Sequence, residues 1–503
     1  MTANLFDRLC GTVADPAKIA VETASGGRVS YAALVAWSGR MANALVARGL
    51  KPGDRVAVQV EKSLAALVVY LATIRAGGVF LPLNTAYTPA EIDYFLSDSE
   101  PVVFVCDPAS QADLQPIAAR VGAALFTLDA AGQGSLAGAA QGAPADFATV
   151  TREPHDLAAM LYTSGTTGRA KGAMLSHDNL ASNAEALRQA WRFSAGDVLI
   201  HALPIFHTHG LFVASNIALL SGASMVLLPK FDVDQIFGVM ARATCLMGVP
   251  TFYVRLLKDA RLTPAATKHM RLFVSGSAPL LAETHRDWQG RTGHAILERY
   301  GMTETNMITS NPYDGERLPG TVGLPLAGVD VRITAPEGGG ELARGEIGMI
   351  EIKGRNVFRG YWRMPEKTAA EFRDDGFFIS GDLGRIDQRG YLHIVGRGKD
   401  LIITGGYNVY PKEVEGEIDG IPGVVESAVI GLPHRDFGEA VTAVVVAGTA
   451  AALTEAAILD ALRPRLARYK LPKRVIFSAD LPRNAMGKVQ KNLLRSAHDG
   501  LYG

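Results

Sequence analysis

Strand-like and helical segments alternate along the first half of the chain, and this order limits the possible folds more than any other feature. Helices are expected at 31–48 and 64–76, and strands at 55–60, 102–106, 198–202, 224–228 and 272–274. Strands that are joined by helical connections run parallel to each other. The sequence therefore predicts an α/β fold with layered, mostly parallel sheets that are covered by helices.

At 503 residues the chain is too long for one hydrophobic core, because single cores stop growing at roughly 250 to 300 residues. Residues 131–146, rich in Ala and Gly, are expected to form a loop. Beyond about residue 325 the pattern changes to glycine-punctuated β segments, for which we expect a small β-barrel-like part.

A Gly-rich stretch at 396–398 then precedes a compact α+β unit. Its expected elements are strands at 401–404, 426–430, 440–446 and 474–477 and helices at 411–419 and 454–467. Glycine permits large backbone changes, so that this stretch is a candidate hinge. We therefore predict a large N-terminal domain over 1–398 and a small mobile domain over 399–503.

Composition excludes several classes of function. The chain has 50 basic and 50 acidic residues and a net charge of zero, which gives no general attraction to nucleic acid or to a membrane. Its three cysteines lack metal-site or disulfide spacing and are expected to be buried thiols in a reducing compartment. No signal-peptide pattern or apolar stretch of about 18 residues is present. A cytoplasmic enzyme is the expectation.

Residues 163–171 combine small hydroxylated residues, two glycines and a lysine directly after an apolar strand. Such a backbone can approach phosphate oxygens closely and donate several N–H groups to them. The Walker pattern needs Gly-Lys followed by Ser or Thr, whereas Lys171 lies three residues after Gly168 and precedes Gly172. A flexible surface loop is the alternative. The predicted ATP-binding residues of this segment are Thr163, Ser164, Gly165, Thr166, Thr167, Gly168 and Lys171.

This loop resembles the phosphate-binding signature of the adenylate-forming superfamily, which includes acyl-CoA synthetases, luciferases and adenylation domains. Residues 298–305, Glu-Arg-Tyr-Gly-Met-Thr-Glu-Thr, are similar to the family's adenine and magnesium segment. The resemblance implies that Tyr300 stacks on adenine, Thr303 contacts the α-phosphate, and Glu304 holds Mg²⁺ with Thr166. A helix N-terminal carboxylate is the alternative for Glu304. The other predicted ATP-binding residues of this segment are Glu298, Arg299, Gly301 and Met302.

Further family motifs follow in the family's order. Ser277 and Ala278, in Ser-Gly-Ser-Ala-Pro, resemble an element beside the adenine and acyl pocket. Asp382, in Ser-Gly-Asp-Leu-Gly, resembles the ribose ligand, and Arg397 would lie near the ribose. Each of these two motifs, taken alone, is explained nearly as well by an ordinary turn. The fixed order of all the motifs favours the functional interpretation.

The C-terminal segment resembles the mobile part of these enzymes. Lys399 would be the hinge, and Lys488, in Pro-Arg-Asn-Ala-Met-Gly-Lys, would be the catalytic lysine that bridges the acyl carboxylate and the α-phosphate. Lys491 is expected to be a solvated lysine. After adenylation the small domain would rotate and let a thiol reach the acyl adenylate. The predicted CoA-binding residues are Gly405, Gly406, Tyr407, Arg468 and Lys470, although the last two also suit a helix C-terminal pair.

The acyl pocket is expected to bind a short dicarboxylate. Residues 204–210 place two imidazoles and a hydroxyl at the start of the pocket, and Arg255 lies on the next pocket helix. A buried arginine calls for an anionic partner. Arg255 and Ser277 are the predicted clamp for the second carboxylate, with Arg286 as a weaker candidate and a surface ion pair as the alternative for Arg255. The other predicted pocket residues are His207, Thr208 and Met307.

Within the superfamily these features are most similar to the enzymes that form malonyl-CoA. The resemblance implies a ligase that uses ATP, Mg²⁺ and CoA to activate malonate, with methylmalonate as a second possible substrate. It also implies control by acetylation of Lys488, with a lysine acetyltransferase and a deacetylase as partners. The alternatives are a ligase for another short acid, an amino-acid adenylation enzyme, and a noncatalytic nucleotide sensor.

Overall fold

The fold is taken from a computed structural model, which describes residues 3–11, 13–163, 170–335, 340–405, 407–448, 453–484 and 487–502. Within these ranges, no helix combines the length and the apolar character that a membrane crossing requires. The three cysteines are free and buried, as the sequence predicts.

The first part of the chain forms a six-stranded sheet with the strand order β6-β5-β3-β4-β7-β8, parallel except for β8. Helix α3 is buried at every residue, as expected for a helix that is apolar all round. The elements are α1 (Leu5–Cys10), β1 (Ile19–Thr23), β2 (Arg28–Ser30), α2 (Tyr31–Val46), β3 (Arg55–Gln59), α3 (Leu64–Arg75), β4 (Val79–Pro82), α4 (Pro89–Ser99), β5 (Val103–Cys106), α5 (Gln111–Arg120), β6 (Ala124–Thr127), α6 (Ser135–Gln141), β7 (Leu157–Thr163) and β8 (Lys171–Ser176).

The second part forms a nine-stranded sheet with the order β15-β14-β13-β12-β11-β9-β10-β1-β2. Its elements are α7 (His177–Ala190), β9 (Val198–His201), a π-helix (His209–Ser215), α8 (Asn216–Leu220), β10 (Ser224–Leu227), α9 (Val233–Met240), β11 (Cys245–Gly248), α10 (Pro250–Leu257), β12 (Leu272–Ser275), α11 (Ala282–Thr292), β13 (Leu297–Met302), β14 (Asn306–Ser310) and β15 (Leu324–Pro325). Strands β1 and β9 to β13 are parallel to their neighbours in the centre of the sheet. Ligands of such sheets bind beyond the carboxyl ends of the strands.

A small antiparallel sheet follows, with the order β16-β17-β18-β19. Its elements are β16 (Val329–Thr334), β17 (Gly348–Gly354), α12 (Pro365–Ala370), β18 (Phe378–Ile386) and β19 (Leu392–Arg397). In the described part of the chain β16 and β19 are not paired, so that the expected barrel-like part is an open sheet.

The C-terminal part has a five-stranded sheet of its own. It contains β20 (Ile402–Thr404), β21 (Tyr407–Val409), α13 (Pro411–Asp419), β22 (Val424–His434), β23 (Gly438–Ala447), α14 (Glu455–Leu462), β24 (Arg474–Ser478) and α15 (Lys491–Ala497). Ile402, Val414 and Ile458 belong to a buried apolar cluster made only of residues from this part. A separate core favours an independent domain, and its exact boundary at 398/399 stays a prediction.

The expected α/β fold with layered parallel sheets and a separate C-terminal domain is confirmed, but some local predictions were wrong. The supposed loop at 131–146 contains α6, because Leu136 and Ala140 are four residues apart and both are buried. Helix α14 ends at Leu462 instead of residue 467. Helix α15, where the sequence predicted only a basic tail, packs its buried Leu494 into a small apolar cluster.

Candidate functional site

The predicted phosphate-binding segment begins where β7 ends. Thr163 at the end of β7 is paired with Lys171 at the start of β8. The predicted phosphate ligands Ser164, Gly165, Thr166, Thr167 and Gly168 lie outside the described residues. The Lys171 ammonium is 3.2 Å from Glu371 Oε1 and 4.1 Å from the centre of the Tyr361 ring.

The predicted ribose ligand is held by two side chains. Asp382 on β18 is buried and lies opposite Arg397 on β19. Arg397 Nε is 2.8 Å from Asp382 Oδ1, and the Tyr300 hydroxyl donates to Oδ2 at 2.5 Å. Burial and the charge of Asp382 raise the pKa of Tyr300, so that the phenol stays protonated. These contacts bring together three residues that the sequence assigned to one nucleotide site.

Glu304 lies in a second buried polar group. The Tyr361 hydroxyl is 3.0 Å from Glu304 Oε1 and 2.6 Å from Glu371 Oε2. Burial raises the pKa of Glu304 although the hydrogen bond from Tyr361 opposes it. Tyr300, Glu304, Tyr361, Asp382 and Arg397 are hereafter called the nucleotide cluster.

Glu304 suits a magnesium ion that is also held by a nucleotide. A buried carboxylate with a raised pKa lacks a strong cationic partner, and a divalent cation would supply one. Among the described residues, no group of three or more His, Cys, Asp and Glu side chains could hold a metal by itself. Mg²⁺ is commonly bound by one or two carboxylates together with substrate phosphates. The donor set therefore fits this ion.

Successive side chains of β13 point to opposite faces of the strand, so that neighbouring residues belong to different sides of the site. Glu298 and Tyr300 share one face, and Arg299 points to the other. Glu298 accepts from the Leu280 N–H at 3.2 Å, and burial raises its pKa to about 8. The predicted contact Thr303 follows β13 in a half-buried turn.

Arg299 is a buried cation without a described partner. Its Nε and Nη2 atoms have no hydrogen-bond acceptor among the described residues, and burial lowers its pKa to about 9. The guanidinium lies against the backbone of Gly276, where an added Cβ would come within 2.3 Å of Arg299 Cζ. Glycine therefore makes room for this arginine directly before Ser277. An unpaired buried charge is costly, which indicates an anionic ligand.

Two other buried polar atoms of this region also lack partners in the described part of the chain. Thr208 Oγ1 and His209 Nε2 are buried and have no partner among the described residues. His209 Nδ1 lies 3.2 Å from Ser277 Oγ, and Ser277 has a φ of 71°, a strained value for a residue with a Cβ. Burial and the nearby Arg299 charge lower the pKa of His207 to about 4, so that its ring is neutral. His207, Thr208, His209, Ser277 and Arg299 are hereafter called the acyl cluster.

Met307 limits the space beside this cluster. It is buried on β14, and an added Cβ at Gly301 would lie 2.5 Å from its Cε. The Met307 N–H and carbonyl are fixed by Asn183 at 3.1 and 2.8 Å. Its terminal methyl group therefore covers Gly301. Met302 and Ala278, two further predicted contacts, are half-buried at the ends of β13 and of the turn after β12.

The two arginines that the sequence predicted as carboxylate clamps lie elsewhere. Arg255 on α10 is exposed and stacks over Phe231 at 5.7 Å. Arg286 on α11 is also exposed, and its Nε donates to the Ala282 carbonyl. Neither side chain is desolvated, so that neither calls for a buried anion. The identity of the carboxylate clamp stays a prediction, and Arg299, which the sequence had assigned to ATP, is the buried arginine beside Gly276.

Lys488 reaches towards the nucleotide cluster from the C-terminal part. The residue as a whole is exposed, whereas its ammonium is desolvated and lies near Arg397, Asp382 and Lys399. Desolvation and then the Arg397 charge lower its pKa to about 8. Gly487, at a φ of 75°, approaches Thr251 of α10. This loop therefore contacts the N-terminal part directly.

Lys491 is not the solvated lysine that the sequence predicted. Its ammonium lies 2.5 Å from Glu415 Oε1, and its side chain is only 18% exposed. The reason is that α15 begins at this residue and turns the side chain towards α13.

The predicted CoA residues lie on one part of the small domain. Tyr407 is 59% exposed and stacks on Tyr469 with ring centres 4.8 Å apart. Arg468 is exposed, whereas Lys470 is 2.5 Å from Glu413. Gly405 ends the preceding turn, and Gly406 lies outside the described residues. A role of these residues in binding CoA stays a prediction.

Sequence reasoning missed Tyr361 and Glu371. Glu371 is 200 positions from Lys171 in the chain, and no recognisable motif joins the two. Arg299 was recognised only as an ATP-binding residue, and that assignment stays a prediction. Strand alternation relative to Tyr300 is the signal that distinguishes its face.

Comparison with known proteins agrees with these motifs. Residues 12–362 match the family model of the AMP-binding enzyme, and residues 413–488 match that of the AMP-binding enzyme C-terminal domain. The chain belongs to the AMP-binding enzyme family. Members of this family with related sequences include the malonate–CoA ligase of Arabidopsis thaliana, which is 35% identical over 482 residues, covering 89% of this chain and 79% of that protein.

Two solved structures of this AMP-binding enzyme family are similar over their full length. The ATP-bound MatB of Rhodopseudomonas palustris is 66% identical, covers 100% of both chains and superposes with a TM-score of 0.99. The apo form of MatB has the same identity and coverage but a TM-score of 0.88. The present chain therefore has an overall arrangement more similar to that of the ATP-bound crystal.

Proposed function

We propose that this AMP-binding enzyme is a malonate–CoA ligase. It activates malonate with ATP to give malonyl-AMP and pyrophosphate, and it then transfers the malonyl group to CoA. Methylmalonate is a possible second substrate. The family membership, the malonate–CoA ligase of A. thaliana and the similarity to MatB support this proposal.

The single observation that carries the choice of malonate is the unpaired, buried Arg299. A monocarboxylic acid has one carboxylate, and that group must remain at the reaction centre. A dicarboxylate has a second one for Arg299, and a guanidinium can bind it through two parallel hydrogen bonds. The Thr208 hydroxyl is a further donor, and His209 Nε2 also lacks a partner among the described residues; it can donate when the ring proton is on that nitrogen.

Lys488 serves the first step. One malonate carboxylate oxygen forms a bond to the α-phosphorus, while the bond from that phosphorus to the pyrophosphate oxygen breaks. We assign the Lys488 ammonium to hold the carboxylate and the α-phosphate together and to balance the negative charge between them. The pair of Asp382 and Arg397 lies beside it and places the ribose.

In the second step, the CoA thiol must reach the acyl adenylate in place of Lys488. The CoA thiolate sulfur forms a bond to the acyl carbon, and AMP leaves with the electrons of the broken C–O bond. We propose that the small domain rotates about Lys399, withdraws Lys488 and exposes a path for the thiol. The CoA residues are proposed to be Gly405, Gly406, Tyr407, Arg468 and Lys470.

Mg²⁺ is the proposed metal, with Glu304 and Thr166 as protein ligands. When bound, it would neutralise charge on the triphosphate and help to orient it. The Tyr361 hydroxyl donates to Glu304 Oε1 and would help to orient this ligand.

Acetylation of Lys488 is proposed as a control of the first step, with a lysine acetyltransferase and a deacetylase as partners. Acetylation would remove the ammonium charge that adenylation needs. Mass spectrometry of Lys488 in active and inactive cellular enzyme checks this. Unmodified Lys488 in fully inactive enzyme would contradict it.

A substrate panel tests the proposed function. Purified enzyme is assayed with ATP, Mg²⁺ and CoA against malonate, methylmalonate, succinate, acetate and a set of amino acids. We expect malonate to have the highest kcat/KM. A clear preference for acetate, for a fatty acid or for an amino acid would overturn the choice of malonate, and binding of ATP without turnover of any acid would favour a sensor.

A further inference from the structure

Two ion pairs enclose the predicted hinge. On its N-terminal side, Arg397 at the end of β19 lies 2.8 Å from Asp382 of β18. On its C-terminal side, Asp400 Oδ1 accepts from Arg495 Nη2 of α15 at 2.7 Å. Only Gly398 and Lys399 lie between the two paired residues. Within the segment 397–400, Arg397 and Asp400 each form an ion pair, and no ion pair of Lys399 is found among the described residues.

The anchor at Asp400 is more than a surface contact. The Asp400 side chain is 16% exposed and that of Arg495 is 32% exposed. Burial alone would raise the pKa of Asp400, but the Arg495 hydrogen bond and the Lys491 charge outweigh it, so that the pKa lies below its ordinary value. Ion pairs at exposed positions contribute little, whereas partly desolvated pairs are screened less by water.

Helix α15 joins this anchor to the loop of Lys488. The loop closes through the Gln490 N–H and the Pro482 carbonyl at 2.8 Å, and α15 begins at the next residue. Leu494 of α15 is buried in the apolar cluster that also contains Leu481. Lys491 adds the ion pair to Glu415 of α13. Asp400, α15 and the Lys488 loop are thus parts of one packed body.

We propose that the Asp400–Arg495 ion pair is a positioning contact for the domain rotation. It confines the rotation to Gly398 and Lys399 and makes the small domain carry Lys488 as a rigid body. Without it, the pivot would extend past Asp400, and the position of Lys488 would vary even with substrates bound. This inference rests on the proposed function, because rotation of the small domain is part of that function.

Charge removal and charge exchange test the proposal. The variants are Asp400→Asn, Arg495→Gln and the double variant Asp400→Arg with Arg495→Asp. The matched control is Arg465→Gln, which removes an exposed arginine 3.7 Å from Glu417 in the same domain. Two quantities are measured in each full-length protein: malonate-dependent exchange of pyrophosphate into ATP, and amide hydrogen exchange of residues 398–405.

We expect each single variant to lower kcat by about ten-fold, the size expected for one lost charge-assisted hydrogen bond, with KM for ATP and malonate changed by less than about twofold. Hydrogen exchange at 398–405 should become faster. The double variant should recover most of both losses, and the control should match the wild type. Single variants that equal the control, or a double variant as slow as the singles, would overturn the proposal.

Failure of the proposed function gives a different result. If wild-type enzyme shows no malonate-dependent exchange, the assignment of malonate fails. Hydrogen exchange at 398–405 then still decides whether Asp400 and Arg495 anchor the segment, because that measurement needs no substrate. Asp400→Asn hardly changes the volume of the side chain and is therefore expected to fold. It keeps the proposal testable if Arg495→Gln is unstable.

Discussion

The nucleotide cluster and the acyl cluster differ in whether their arginine has a charged partner. In the nucleotide cluster, Asp382 has Arg397 as a partner and Glu304 has the Tyr361 hydroxyl. In the acyl cluster, Arg299, Thr208 and His209 have buried polar atoms with no hydrogen-bond partner among the described residues. Within the described ranges, Asp382 and Arg397 thus satisfy each other and Glu304 has a hydrogen bond but no ion pair, whereas the acyl cluster leaves a buried cation unpaired. Because buried polar groups are normally paired, the unsatisfied cluster is the one that reports the chemistry of its ligand.

The comparison also separates two sources of specificity. The paired Asp382 and Arg397 keep their geometry without a ligand, and the ligand proposed for their cluster is ATP. An unsatisfied cluster gains most when the right anion arrives, since binding then pairs a charge that was costly to bury. Selection among acids is therefore expected to depend on Arg299 more than on shape alone.

Lys488→Ala is expected to have the largest effect, because it removes the cation that is proposed to bridge the acyl carboxylate and the α-phosphate. Adenylation should fall by about 100- to 1000-fold, as for other lost transition-state donors. Thioester formation from supplied malonyl-adenylate should be largely kept. Pyrophosphate exchange and single-turnover thioester assays measure the two steps. Lys473→Ala, an exposed lysine of the same domain, is the control, and equal loss in both steps would contradict the divided role.

Arg299→Met sharpens the contrast between the clusters. We expect kcat/KM for malonate to fall by about 100-fold, because a bidentate pair contributes two charge-assisted hydrogen bonds, while KM for ATP stays nearly constant. The free energy of unfolding without ligand should rise by about 1 to 4 kcal/mol, since a buried charge is replaced by an apolar side chain. Steady-state kinetics and denaturant unfolding measure the two effects.

Arg255→Met and Arg286→Met are the matched controls for that experiment. Both remove an exposed arginine near the same sheet end and should leave the malonate preference unchanged. If Arg255→Met, rather than Arg299→Met, removes discrimination between malonate and acetate, the clamp is the residue that the sequence first indicated.

Replacing either of two buried glutamates by glutamine tests which of them serves the metal in the nucleotide site. Glu304→Gln should weaken the apparent Mg²⁺ affinity in ATP binding by about 10- to 100-fold. Glu298→Gln should change it by less than about twofold, because burial raises the pKa of Glu298 to about 8 and glutamine has the shape of the protonated acid. Titration of ATP binding with Mg²⁺ measures both. Equal losses in the two variants would contradict the assignment of Glu304 as the Mg²⁺ ligand.

The smallest expected effect is a pH dependence of adenylation. Desolvation lowers the pKa of Lys488 to about 8 from its ordinary value, so that a rise in pH removes its charge earlier than for a free lysine. The kcat/KM for ATP in adenylation should be about half its plateau at pH 8 and about a tenth at pH 9. Thioester formation should lack this fall. A flat adenylation profile up to pH 10 would contradict the assignment.

The sequence predicted the fold and the nucleotide residues better than the acyl pocket. Parallel strands follow from local alternation, and motifs such as that around Asp382 are contiguous. The acyl cluster is assembled from the start of the π-helix and the residues before it, the turn after β12 and the interior of β13. Its arginine is distinguished by burial, which no local sequence pattern records. Arg255 and Arg299 look equally suitable until solvent exposure separates them.

The account depends most on where the second carboxylate of the substrate binds. A crystal structure with malonyl-adenylate or a stable analogue measures this directly. The predicted result is a distal carboxylate within about 2.7 to 2.9 Å of the Arg299 guanidinium nitrogens, with the phosphate beside Lys488. A distal carboxylate that faces solvent or another cation, with Arg299 still unpaired, would contradict the central claim.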